Sequence, residues 1–254
     1  MSVKSEISNA YLNIQLDEHG RKPYPSEYCA VITGTANEGS IGRAIYDHLR
    51  NANVKCYAFH GDVRKESDIF DIANLGTRPA NVLIMSHGVT HLDWFENCPL
   101  EKMKEMIDVN LTGSAMVAQS FVKSTIIEPY RKIIIGIGSM AYNKVLNGSA
   151  LYCASKAGHA HLMKCLAWEL APKGYDVYCI NPSNTAETPM AEQTIEGLMR
   201  YRFMEREEAE AYWNDTVIRG DMLRAEEIAN LIFTLIHGTP YLSGAMLDLG
   251  GGQR

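Results

Sequence analysis

Tyr152 stands four residues before Lys156 in "GSALYCASKAGHA", residues 148–160. On a helix, side chains four apart share a face, one above the other. A free phenol titrates near ~10, and a neighbouring ammonium favours its ionised form. The chemistry open to such a pair is proton exchange. The same spacing also describes an ordinary exposed surface pair, so other residues must decide. Ser139 ends the apolar run "RKIIIGIGS" thirteen residues before Tyr152, and Asn110 lies in "VNLTG". Open α/β sheets bind ligands at the carboxyl ends of their strands, where a serine such as Ser139 would sit.

Those side chains need elements to carry them. From residue 28, short apolar runs alternate with helix-length stretches: "YCAVIT" (28–33), "NVKCYAF" (53–59), "NVLIMS" (81–86), "RKIIIGIGS" (131–139), "DVYCIN" (176–181) and "AMLDL" (245–249). Runs apolar on both faces suit strands covered by helices on both sides. Between them, 65–75 lines up Ile69, Ile72 and Ala73, and 226–236 lines up Ile228, Leu231, Ile232 and Leu235. The order β-α-β-α predicts an α/β fold, a Rossmann-type doubly wound parallel sheet with right-handed crossovers and helices on both faces. No repeat, low-complexity tract or linker is visible, so residues 28–254 read as one domain. Residues 1–27, broken by Gly20, Pro23 and Pro25, read as an N-terminal extension.

"VITGTANEGSIGRAI" follows the first apolar run and opens a helix. In that context Gly34 permits a tight turn, and small residues let backbone N–H groups approach a pyrophosphate. A helix starting near Ser40 would offer its positive end. A plain strand–helix connection fits the same residues. Asp62, twenty residues past Gly42 in "FHGDVR", could accept hydrogen bonds from the adenosine part of a dinucleotide. It could equally be a solvated loop aspartate.

Composition narrows the classes. At 254 residues, 46% hydrophobic and 21% charged, the chain is an ordinary globular one. A net charge of -6 gives no basic patch for nucleic acid or anionic lipid. No apolar run reaches ~18 residues, so no membrane span is expected. The polar start "MSVKSEISNAYLNIQLDEHG" lacks the apolar core of a signal peptide. Six scattered cysteines (29, 56, 98, 153, 165 and 179) form no C-x-x-C pair. They read as reduced, buried small hydrophobes, which points to the cytoplasm. The eight histidines show no metal spacing; His159 and His161 diverge on a helix, so no metal is expected.

The ordered set of motifs across residues 28–252 resembles the short-chain dehydrogenase/reductase family. "TGTANEGSIG" resembles its cofactor glycine turn, and "GDV" its adenine-contacting pair. "LIMSHG" takes the place of its Asn-Asn-Ala-Gly strand end, and "VNLTG" supplies the helix asparagine. Ser139 with "YCASK" supplies the serine, tyrosine and lysine. "NPSNTAETPM" resembles the segment beside the nicotinamide, and "LSGAMLDLGGG" the terminal strand. The resemblance implies an NAD(P)-dependent enzyme that interconverts an alcohol and a ketone or aldehyde by hydride transfer. Tyr152 would be the general acid/base, and Lys156 with the cationic ring of oxidised nicotinamide would lower its pKa. Ser139 would hold the substrate oxygen, and Asn110 a water that links Lys156 to solvent. Gly34, Ser40, Ile41, Gly42, Asp62, Val63, Ser86, His87, Gly88, Tyr152, Lys156, Pro182, Thr185 and Thr188 would bind the cofactor. Members commonly assemble as tetramers or dimers, and the apolar 226–236 helix with the final strand would suit such a homo-oligomer interface.

Three features depart from the family pattern. The span from Gly34 to Gly42 is about two residues longer than usual, with Ser40 near an expected glycine. The stretch from Gly42 to Gly88 is about twenty residues short, as though one strand–helix unit were missing around "VKCYAFHGDV". Met85, Ser86 and His87 replace Asn-Asn-Ala, and Ser183 replaces a glycine. His87 would contact the cofactor ribose or fill space. If Asp62 reaches the ribose it repels a 2'-phosphate and favours NAD, whereas Arg64 and Lys65 would attract one and favour NADP; the balance leans to NAD. The stretch 187–223 and the loop from Met140 to Leu151 are expected to wall the substrate pocket, although the Met/aromatic stripe in 187–223 also suits packing. Two rival readings remain: a catalytically silent cofactor-binding scaffold, and a sugar-nucleotide epimerase, whose chains are longer.

Overall fold

In the computed structural model, which describes residues 27–125, 130–215, 217–238 and 240–252, the first apolar run becomes β1 (Cys29–Thr33), buried along its length. The other runs become β2 (Lys55–Ala58), β3 (Val82–Met85), β4 (Lys132–Ile137), β5 (Tyr175–Pro182) and β6 (Met246–Leu249). They form one parallel sheet in the order β2-β1-β3-β4-β5-β6. The helices are α1 (Ile41–Asn51), α2 (Glu66–Ile69), α3 (Leu100–Ile107), α4 (Ser114–Ser124), α5 (Ala150–Leu170), α6 (Pro189–Arg202), α7 (Arg206–Asn214) and α8 (Ala225–His237). The extension read over residues 1–27 lies outside the described residues except for Glu27.

Each face of the sheet has its own apolar layer, as strands without polar alternation require. On one face Ile45 and Leu49 of α1 join Ile228, Ile232 and Ile236 of α8 over Ala30, Ile32 and Ile84. On the other, Val117 and Phe121 of α4 join Met163 and Ala167 of α5 over Val31, Leu83 and Ile134. The doubly wound Rossmann-type reading is therefore what the chain adopts. No helix among the described residues is long and apolar enough to cross a membrane. No cluster of His, Cys, Asp and Glu among them could hold a metal ion.

Two sequence expectations need correction. The stretch 65–75 is not one helix: α2 ends at Ile69, Asp71 takes φ +56, and a 3-10 turn covers Ile72–Asn74. Its apolar spacing is still satisfied, because Ile69, Ile72 and Ala73 are all buried. Of the cysteines, Cys29, Cys56 and Cys179 are buried, but Cys165 is exposed on the outer side of α5.

The shortened stretch has a simple structural meaning. The chain leaves β2, makes α2 and one 3-10 turn, and enters β3. One strand lies beyond β1 on that side, where the common dinucleotide-binding order has two.

Candidate active site

The chain runs from β1 outward to β2, then back across to β3. The connections leaving the carboxyl ends of β1 and β3 therefore run in opposite directions along the sheet, and such a switch point is where open sheets bind ligands. A cavity of about 370 Å³ lies there. Gly34 turns the chain out of β1 with φ +73, and a Cβ at that position would lie 2.5 Å from the Ser86 carbonyl oxygen. A Cβ on Gly42 would lie 2.3 Å from the Gly34 carbonyl oxygen, so glycine lets α1 sit tight against the turn. Ser40 starts α1 as its N-cap, accepting from Arg43 N–H and donating to the Gly34 carbonyl, both at 3.2 Å.

The cavity gathers most of the residues singled out above. Gly34, Ser40 and Ile41 come from the turn, Ser86, His87 and Gly88 from the end of β3, and Pro182, Thr185 and Thr188 from beyond β5. Ser139, Tyr152 and Lys156 form the wall opposite the turn. Gly42, Asp62, Val63 and Asn110 are outside the cavity lining. Gly42 and Asn110 support it from behind. Val63 is buried and packs against Gly113. Asp62 sits in a loop, paired with Arg64 at 2.8 Å, and that guanidinium holds its carboxyl down to about 2.

Tyr152 and Lys156 are not the surface pair their spacing also allows. Both point inward from the first turns of α5: Lys156 is 4% exposed and Tyr152 half-buried at the cavity. The phenol donates to Met190 Sδ at 3.9 Å, and the nearby Ser139 hydroxyl favours its ionised form. Ser139 also accepts from Ala141 N–H at 3.2 Å, which fixes the turn after β4. Lys156 Nζ donates to the Ile137 carbonyl at 3.1 Å and lies 5.8 Å from the Tyr152 ring centre.

The electrostatics differ from the expectation of a depressed phenol. Burial pushes Tyr152 up to about 12, with the Ser139 hydroxyl offsetting only part. Burial also pulls Lys156 down to about 8. The ammonium is turned to the Ile137 carbonyl, and desolvation of the phenolate outweighs it. The protein's own groups keep the phenol protonated at neutral pH.

Asn110 lies in a π-helical segment, Asp108–Gly113, between α3 and α4. Such segments often mark functional positions. Its Oδ1 accepts from Val89 N–H at 2.8 Å, and its Nδ2 donates to the Val89 carbonyl at 2.9 Å and to Ser155 Oγ at 3.0 Å. Asn110 Oδ1 and Lys156 Nζ converge on Gly88, at 3.4 and 3.6 Å from where its Cβ would be. The outer wall includes Leu92, Lys144, Leu146, Met190 and Trp213. Much of 187–223 is packing instead: Ile195, Leu198, Tyr201 and Ala209 close a small core with Leu92.

Sequence reasoning passed over Thr33, Ser114 and Ser155, which with His159, read only as a non-ligand, join His87 and Asn110 in a buried hydrogen-bonded cluster. No spacing rule links residues so far apart in the chain. It also passed over a second cavity at the end of β2, lined by Thr35, Arg43, Tyr46, Asp47, Arg50 and His60. The hydroxyls of Thr35, Ser86 and Ser183 are buried without a protein partner. Together with the Gly34 turn, they fit a dinucleotide that supplies the missing partners.

Sequence comparison agrees. A family model for short chain dehydrogenases matches residues 24–198. The chain belongs to the short-chain dehydrogenase family. Among its relatives in this family, a 3-oxoacyl-[acyl-carrier-protein] reductase of Aquifex aeolicus is 26% identical over 88% of this chain and 86% of that protein. L-xylulose reductase of Cavia porcellus is 26% identical over 71% of this chain and 70% of its own length. Two solved structures share the fold. Actinorhodin polyketide ketoreductase, with NADPH, aligns at TM-score 0.80 and 24% identity over 89% of this chain and 97% of its own. NAD+-bound xylitol dehydrogenase aligns at TM-score 0.80 and 20% identity over 91% of this chain and 100% of its own. Family membership makes the protein an NAD(P)-dependent oxidoreductase.

Proposed function

We propose that this enzyme reduces a ketone or aldehyde to the alcohol, with NADPH as reductant and Tyr152 as the proton donor. The observation that carries this reading is the Tyr152 phenol at the cavity wall, sharing that wall with Ser139 and flanked by the buried Lys156. Bound NADPH supplies the hydride. The remaining work falls to side chains. Ser139 donates to the substrate oxygen and stabilises charge that develops there. Tyr152 passes its proton to the same oxygen. Lys156, fixed below the ring, stabilises the phenolate left behind. Leu92, Leu146, Met190 and Trp213 give the far wall an apolar character, suited to a small carbonyl compound with an apolar substituent.

The Gly34 turn and the positive end of α1 would hold the pyrophosphate. Ser86 and Ser183 would add hydroxyls. NADPH is preferred to NADH because β2 ends in Ala58, with two guanidinium groups, Arg43 and Arg50, against one carboxylate, Asp47, in the adjoining cavity. A 2'-phosphate finds opposite charge there. Asp62, whose charge favoured NAD, is already paired with Arg64. The reductases among the relatives support the direction of reaction.

Fluorescence titration and thermal shift with NADPH and NADH separately test the cofactor. A panel of carbonyl compounds, followed by loss of nicotinamide absorbance, tests the reaction. Binding of neither cofactor at millimolar concentration would return the protein to the scaffold reading. Tighter binding of NADH would remove the assignment of the second cavity.

A further inference from the structure

His87 stands between the cofactor turn and the catalytic helix, with both ring nitrogens engaged. Nδ1 lies 2.7 Å from Thr33 Oγ1 at the end of β1, and Nε2 lies 3.1 Å from Ser114 Oγ at the start of α4. The direction of each bond follows by elimination. Ser114 Oγ donates its one proton to the Asn110 carbonyl at 2.9 Å. It must therefore accept from His87, so Nε2 carries the hydrogen. Nδ1 is then the acceptor and takes the Thr33 hydroxyl proton. Thr33 Oγ1 in turn accepts from Ser86 N–H at 3.2 Å.

The chain continues into α5. His159 Nδ1 lies 3.2 Å from the same Asn110 carbonyl, which makes it a donor. Both lone pairs of that carbonyl are then filled by protein donors. The Asn110 side chain bonds Ser155, the residue next to Lys156. One continuous path therefore runs from Thr33, beside Gly34, to the turn of α5 that holds Lys156. Every member is neutral, as a group buried near an ammonium should be. Burial and Lys156 both hold His87 and His159 well below the usual imidazole range.

We infer that His87 is a positioning residue that couples the cofactor turn to the catalytic helix, through Ser114 and Asn110. The inference builds on the reductase reading. Loss of the link loosens the placement of Lys156 relative to the Ile137 carbonyl and the phenol. A space-filling role would instead cost stability and leave turnover alone.

The test compares His87→Ala, His87→Gln, Ser114→Ala and the double variant His87→Ala/Ser114→Ala. Glutamine carries one acceptor and one donor on a planar group, so it can replace both bonds of the neutral ring. Each alanine variant should lower kcat about tenfold, as a small misplacement of reacting groups does, with KM for the carbonyl substrate unchanged. The double variant should be no slower than the slower single one, because the chain is broken once. His87→Gln should recover most of kcat. Equal kcat in all variants at matched folded fraction, or effects that multiply, would overturn the inference. A second readout needs no turnover: ¹⁵N NMR of the rings in the wild-type protein. His87 should show a protonated Nε2 and a bare Nδ1, unchanged between about pH 5 and pH 8. A ring that titrates there, or the opposite tautomer, sinks the coupling. A wild-type protein that reduces no carbonyl compound would sink the reductase reading alone, and the NMR result would still judge His87.

Discussion

The two halves of the cleft follow the family pattern unequally. Around β4 and α5, Ser139, Tyr152 and Lys156 occupy the expected positions and meet at the cavity. Around β1 to β3, one strand–helix unit is gone, the glycine turn is longer, and His87 replaces a small residue. The difference reflects two kinds of work. Proton transfer needs particular side chains held within a fraction of an ångström. A pyrophosphate needs backbone N–H groups and a helix end, which loops of several lengths can present. If this account is right, side-chain changes in the first half should remove chemistry without binding, and backbone changes in the second should remove binding.

The largest effect should come from Tyr152→Phe. Loss of a positioned acid costs about 10²- to 10⁴-fold in rate. NADPH affinity should stay within a few-fold of wild type, since the ring remains. Single-turnover rates and cofactor titration on one preparation check both halves of the statement. Activity near wild type would remove Tyr152 as the acid.

Lys156→Met should also abolish useful turnover, yet stabilise the fold. The folded pKa of about 8 lies below the ordinary 10.5, so the folded state disfavours the charged lysine. That penalty is fully present below pH 8 and disappears as pH rises toward 10.5. At pH 7 it amounts to about 3 kcal/mol, from which the lost bond to Ile137 takes about 1. Denaturant unfolding at pH 7 should show a gain, and none at pH 10.5; a loss at pH 7 would mean the ammonium is not penalised there.

Two glycines of the second half differ in what a side chain there would meet. Gly42→Ala forces a methyl to 2.3 Å from the Gly34 carbonyl oxygen, which must move. The expected cost is about 3 kcal/mol, with loss of cofactor binding. Gly88→Ala meets its neighbours at 3.4 Å or more, an ordinary contact. Its Tm should hold, but the methyl separates Asn110 Oδ1 from Lys156 Nζ and should slow turnover several-fold. Equal stability of the two variants would refute the packing argument for Gly42.

The sequence made the first half more legible than the second for the same physical reason. Six strands showed as apolar runs, the four inner ones because both their faces are covered, and boundaries shifted by only a few residues. Tyr152 and Lys156 were readable because helical periodicity fixes their relation within one element. The helix expected over 65–75 was misread, because burial of Ile69, Ile72 and Ala73 is equally met by two short turns around Asp71. The raised phenol was also invisible, since burial is set by the fold and not by the neighbour four residues on. The His87 cluster joins five elements, and no local pattern announces it.

The buried histidines predict a loss of stability in acid. His87 and His159 are both held below the ordinary 6.5, so the unfolded chain binds protons that the folded one refuses. Stability from this source is intact above about pH 6.5 and is lost as pH falls below it. At pH 5 the expected loss is about 2 kcal/mol for each histidine relative to pH 7. His159→Gln should flatten the slope of unfolding free energy against pH in this range. An unchanged slope would mean that His159 titrates alike in both states.

The smallest effect concerns cofactor choice. Arg43 pairs with Asp47 at 2.8 Å, and both side chains are about half exposed. Such a pair contributes little in water, so the guanidinium can turn to a stronger anion at low cost. Arg50 donates to Tyr46 at 2.9 Å and stays on the same side of the cavity. Arg43→Ala should therefore weaken NADPH about tenfold, near 1.4 kcal/mol, and leave NADH almost unchanged. Asp47→Ala should act in the opposite sense by freeing Arg43, and the NADPH preference should weaken as salt rises. Parallel loss of both cofactors in Arg43→Ala would instead place that residue's role in the folding of α1, and the second cavity would no longer account for the choice.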